Sequence, residues 1–114
     1  MMALNAVVHT LMSWLEDHRD QSLLIHKHEQ DDSDHVRIQL SGVDFKPETA
    51  SIDGYTDESA LRLHGVGTVL NDGQSLPLPQ NAYEIPVAGL TLMESVDNRM
   101  ILRTNIAEYT IFID

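Results

Sequence analysis

His26 and His28 stand two residues apart, and His35 follows across Gln30-Asp31-Asp32-Ser33-Asp34. Side chains two apart on a strand project from one face, and a hairpin turning over residues 31–34 would bring His35 towards His28. Three imidazoles with oxygen ligands from Asp31, Asp32 or Asp34 are a sensible set for zinc, nickel or copper. His26, His28 and His35 are therefore the candidate metal ligands. The plainer reading places them on the solvent face of an amphipathic hairpin, alternating with Ile25 and Lys27, and exposure alone accounts for that pattern.

The same segment concentrates acid. Glu29, Asp31, Asp32 and Asp34 put four carboxylates into six residues, with Lys27 and Arg37 behind them. A one-signed tip repels itself. It is either a solvated turn or the meeting point for a cationic surface, in which case it steers encounter more than it adds affinity. These four acids are the candidate partner-binding residues.

No catalytic set can be named. A triad of His64, Asp53 and Ser59 can be drawn on paper, but nothing positions a nucleophile or an oxyanion hole. The chain has no cysteine, which excludes a thiol nucleophile, an iron–sulfur cluster and a cysteine-ligated zinc. There is no phosphate-binding P-loop, no G-x-S-x-G elbow and no H-E-x-x-H. Gly65-Val66-Gly67 opens a dinucleotide fingerprint whose third glycine position is Leu70. A calcium loop starting at Asp32 would need glycine and glutamate where Arg37 and Val43 stand. No cofactor is indicated.

Eighteen acids against seven bases give a net charge of −11. Arg19, Lys27, Arg37, Lys46, Arg62, Arg99 and Arg103 are scattered, so no basic stretch exists to track a phosphate backbone or an anionic membrane. The expectation is no nucleic acid and no membrane partner. The apolar start of the chain has no Lys or Arg before Arg19, so it lacks the basic region of a signal peptide. No run approaches a membrane span. A cytoplasmic location is expected.

The elements that must position these groups follow from periodicity. A length of 114 residues suits one domain with one core. Leu4, Val7, Val8, Leu11, Trp14 and Leu15 recur at helical spacing and predict an amphipathic helix over about residues 3–18. Trp14 is its expected core anchor, and Met12, Met93 and Met100 are expected to fill gaps in the core. Residues 22–29 and 35–42 read as a strand pair, with Leu23 and Ile25 buried on the first and Val36, Ile38 and Leu40 on the second. Residues 51–56 read as a short strand holding Gly54, and 60–70 as a longer one. Gly65 and Gly67 in the longer strand imply a bulge, a bend or close approach of another backbone. Asn71-Asp72-Gly73 is a turn. Prolines mark 76–79 as an extended edge or loop and 83–87 as an edge. Residues 90–96 and 99–104 form a hairpin over Asp97-Asn98, placing Met93 opposite Leu102 and Ser95 opposite Met100. Residues 108–113 close the chain.

The fold class is therefore α+β. One N-terminal amphipathic helix packs on an antiparallel meander of six or seven strands, either an open sheet or a small curled barrel. The reading favours a small acidic, non-enzymatic binding or assembly protein acting through protein–protein contact, with a homodimer as one form. The alternatives are a metal-binding protein using His26, His28 and His35, and a curled sheet holding a small ligand.

Overall fold

The computed structural model describes residues 2–47, 49–50, 56–57, 59–71 and 73–114, the side chains of 2–5, 49–50 and 56–57 excepted. The expected strand at 51–56 lies outside the described residues except for Thr56. Asp53 and Asp72 also lie outside them. Helix α1 spans Met2–Glu16. Leu11, Trp14 and Leu15 are buried, and Val7, Val8 and Met12 pack against the core beside them. The helical stripe thus covers the sheet, as an isolated helix of this length could not persist in water. Beyond Glu16 the His18 ring lies against Trp14, tilted by 45° with centroids 4.5 Å apart, and its Nδ1 donates to the Trp14 carbonyl at 2.7 Å. Asp20, at φ 68°, then turns the chain and donates its amide to Leu40 O at 2.7 Å.

The strands are β1 (Ser22–Glu29), β2 (Asp32–Lys46), β3 (Thr49–Ala50), β4 (Thr56–Asp57), β5 (Ala60–Asn71), β6 (Gln74–Pro77), β7 (Ala82–Pro86), β8 (Thr91–Val96), β9 (Arg99–Arg103) and β10 (Glu108–Ile113). Strands β3 and β4 pair with each other. The other eight form one antiparallel sheet in the order β6-β5-β2-β1-β10-β9-β8, with β7 beside β5 on the same edge as β6. The fold class read from periodicity holds: one N-terminal helix on an antiparallel sheet, open rather than closed. The proline-marked segments β6 and β7 share one outer edge. The pairing of β1 with β10 joins the two ends of the chain.

The core lies between the helix and one face of the sheet. Leu23 and Ile25 of β1, Val36, Ile38 and Leu40 of β2, Leu61 and Leu63 of β5, Ile85 of β7, Met100 and Leu102 of β9, and Tyr109 and Ile111 of β10 are all buried there. Burying a side chain of this size contributes about 1.5–3 kcal/mol. The sheet bends round the helix: α1 packs against β2, and at the far edge Trp14 Nε1 donates to Val96 O of β8 at 3.1 Å. The opposite face is therefore convex.

Two local features produce this bend. The register between β2 and β5 shifts between Leu40 and Gly42, where Ser41 bulges and its hydroxyl donates to His64 O at 3.0 Å. Opposite the bulge, β2 lies so near β5 that a Cβ on Gly65 would stand 2.0 Å from Gln39 O, and one on Gly67 2.2 Å from Arg37 O. Of the bulge, bend or close approach expected of them, both glycines mark the close approach of another backbone. The second hairpin departs from expectation at one residue. Ser95 faces Met100 as predicted, but Leu92, not Met93, faces Leu102. Met93 sits in a bulge and is 49% exposed, so it fills no gap in the core.

Candidate functional site

The β1–β2 turn is tighter than the sequence suggested. Glu29 pairs with Asp32, leaving only Gln30 and Asp31 in the turn, with Gln30 at φ 52°. This corrects the expected neighbour of His35: it lies opposite His26, while His28 lies opposite Ser33. The His26 and His35 rings stack with centroids 4.2 Å apart and 13° between planes. Phe112 of β10 meets the His26 ring edge-on at 5.2 Å. Burial and the neighbouring His35 charge both push the His26 pKa below its usual value. His28 belongs to the next row, between Ser33 and Glu108. Among the described residues no three His, Asp or Glu side chains converge on one point.

The acids of the turn are spread along strands. Glu29 meets Lys27 at 3.2 Å, and Asp34 pairs in register with Lys27. The Asn71 amide donates to Asp32 at 3.3 Å and also to Asp34. Asp31 is exposed at the turn itself.

Strand alternation and register define the convex face in rows. One row runs Val96, Arg99, Phe112, Leu24, Arg37, Thr68, Pro77; the next runs Glu94, Ile101, Thr110, His26, His35, Leu70, Ser75. On β10, β1 and β2 the two rows hold Phe112, Leu24, His26 and His35, with Thr110 and Arg37 beside them. Leu70, next to His35 on β5, is 45% exposed. The charges of this face lie in pairs. Arg37 meets Asp114 at 2.6 Å, Arg99 meets Glu94 at 2.6 Å, and Arg103 meets Glu108 at 3.2 Å. A shallow groove of about 440 Å³ runs past Leu24, His26, His35, Arg37, Leu70 and Ser75.

A second cluster occupies the same face where β2 meets β5. Arg62 donates to both Asp44 oxygens at 3.2 Å, and His64 Nε2 lies 3.0 Å from Asp44 Oδ1. Hydrogen bonds from Arg62 and then His64 hold the Asp44 carboxyl below its usual pKa. The carboxylate partner of His64 is thus Asp44, and the amide of Val87 bonds the backbone carbonyl of Ser59. An open groove of about 350 Å³ beside Arg62 and His64 is bounded by Gln80 and Glu84. Each of the seven bases lies within 4.0 Å of a carboxylate. No described helix is long and apolar enough to cross a membrane.

Sequence reasoning missed Phe112, Leu24, Leu70 and the Asp44–His64 contact. Their alternation was visible, but their grouping depends on the β1–β10 and β2–β5 registers.

No solved structure matches the chain. The uncharacterised protein YmzB of Bacillus subtilis (strain 168) is 35% identical over 109 residues, covering 90% of this chain and 92% of that protein. The family described as YmzB-like protein matches residues 4–114. The chain therefore belongs to the YmzB-like protein family.

Proposed function

We propose that the chain is a protein-binding module that meets its partner through the convex face of the sheet, centred on Leu24, His26, His35, Leu70 and Phe112. The observation that supports this is the charge balance of that face. Arg37, Arg99 and Arg103 of that face each meet Asp114, Glu94 or Glu108, and Asp44 of β2 meets Arg62 of β5, beside the apolar and aromatic side chains Phe112, Leu24, His26, His35 and Leu70. The whole chain carries −11. Neutral, arginine-rimmed patches with aromatic centres match the makeup of protein interfaces, whose cores are depleted in charge. Of the acids of the β1–β2 hairpin, Glu29, Asp32 and Asp34 alternate to the other face of the sheet, so with Asp31 at the turn they would steer a cationic partner to this end of the molecule rather than form part of the patch. The proposal takes the cytoplasm as its setting and requires no catalysis.

The test compares proteins that co-purify with the wild-type chain and with a Leu24→Glu/Leu70→Glu variant, alongside circular dichroism. Both side chains face away from the core, so the fold is expected to survive. Selective loss of a co-purifying protein, or of self-association in sedimentation, is the expected outcome. Identical capture by a folded variant would refute the assignment of this face.

A further inference from the structure

We propose that the groove on the convex face receives the carboxyl-terminal residue of a partner protein, its apolar side chain against Leu24 and Leu70 and its terminal carboxylate on Arg37 and His35. The inference rests on the reading of that face as a contact surface and names what the partner presents to it.

Register sets the receptor. His35 and Arg37 stand two residues apart on β2, so their side chains share one face. Leu24 of β1 lies opposite Arg37, and Leu70 of β5 lies opposite His35. A guanidinium and an imidazole therefore stand in the middle of the groove, with a leucine on the strand to either side. The His26 ring, stacked 4.2 Å from that of His35, limits the swing of the imidazole. The groove holds about 440 Å³. That is the size of a small-ligand site and suits one or two residues rather than a helix.

Charge selects the occupant. No carboxylate lines the groove, on a chain with eighteen acids. Asp114 takes Nη1 of Arg37 at 2.6 Å, and among the described residues no contact engages Nε or Nη2. A guanidinium carries five N–H donors, so a second carboxylate fits on those that remain. The Arg37–Asp114 pair is exposed and solvent screens it, so it competes weakly with an incoming anion. The anion must also be single. A chain of charge −11 repels an acidic peptide. A chain terminus brings one carboxylate on a residue that is otherwise apolar, and a cationic partner drawn by the β1–β2 acids still carries one. Capture of a terminal carboxylate is an established mode of peptide recognition.

The experiment is a proton NMR titration with acetyl-Gly-Gly-Gly-Leu, as the free acid and as the carboxyl-terminal amide, read at the ring protons of His26 and His35. The free acid should shift both saturably and bind ~10-fold or more tightly than the amide, which lacks the charge-assisted hydrogen bonds. Arg37→Gln should remove the difference between acid and amide, and Asp114→Asn, which releases Nη1, should strengthen the acid. These side chains lie outside the core, and circular dichroism checks that each variant is folded. Equal binding of acid and amide, no saturable shift at millimolar acid, or undiminished binding by Arg37→Gln would overturn the proposal. Isocaproate binding as tightly as the peptide acid would overturn it in favour of a free small apolar acid. A co-purifying protein lost from Leu24→Glu/Leu70→Glu but kept by Arg37→Gln would also overturn it, while leaving the convex face as the contact surface.

Discussion

Replacing Gly65 by alanine tests the close approach that bends the sheet. The added Cβ would stand 2.0 Å from Gln39 O, 2.9 Å from Gln39 C and 3.1 Å from Ile38 Cγ1. Carbon normally approaches a carbonyl oxygen no nearer than ~3.3 Å, so β2 and β5 must part by roughly 1 Å or more. The obstructing oxygen is backbone, and no change of rotamer clears it. Parting strains the ladder at Leu40↔Gly65 and Gln39↔Val66 and opens the core at Ile38, Leu40 and Leu63. Overpacking costs ~1–3 kcal/mol. One or two ladder bonds lost add ~1 kcal/mol each. The expected loss is about 2–5 kcal/mol out of the ~5–15 kcal/mol of a typical domain. For a chain of this length that is a fall in Tm of roughly 8–20 °C. Gly42→Ala is the control. It has nothing within 4 Å of its built Cβ, so it should be neutral or stabilise by up to ~1 kcal/mol through the unfolded chain. Urea and thermal unfolding, followed by the fluorescence of the single tryptophan Trp14, measure both variants. A Gly65→Ala protein as stable as Gly42→Ala would refute the close approach.

Other outcomes follow from the same geometry. Trp14→Phe removes the donor to Val96 O and should cost about 1–2 kcal/mol in urea unfolding, mostly that hydrogen bond; an unchanged midpoint would show that the bond does not tie α1 to β8. His26 is held below the usual imidazole pKa, so its neutral form is favoured in the fold. Its share of stability is fully present above the unfolded pKa of ~6.5 and is lost as pH falls from there through the folded pKa. His35 of β2 faces it directly, with Arg37 on β2, Glu108 on β10 and His28 on β1 in adjoining positions. Proton NMR should give a His26 midpoint below 6.5, and a midpoint at or above that value would refute the reading. Asp44→Asn removes an exposed bidentate pair, and because such pairs are screened by solvent it should cost no more than ~1 kcal/mol in urea unfolding. A larger loss would assign the cluster a part in folding that its exposure argues against.

Residue type and period alone determined the helix, its Leu11–Trp14–Leu15 stripe, the buried alternation of β1 and β2, the edges at Pro77 and Pro86 and the meaning of Gly65 and Gly67. Each is a local consequence of side-chain volume, polarity or backbone freedom, and local rules survive without knowledge of what packs opposite. The tertiary structure decided which histidines meet. A turn of two residues rather than five places His35 against His26 instead of His28, and Gln30 at φ 52° is not a residue that announces such a turn. It also decided that Phe112 and Leu24 are neighbours, because β1 and β10 come from opposite ends of the chain and adjoin only across the completed sheet. Met93 turned outward and Asp44 met His64 for the same reason. A one-residue bulge moves a side chain to the other face, and its position depends on the fit of the whole sheet around the helix, which no short window of sequence contains.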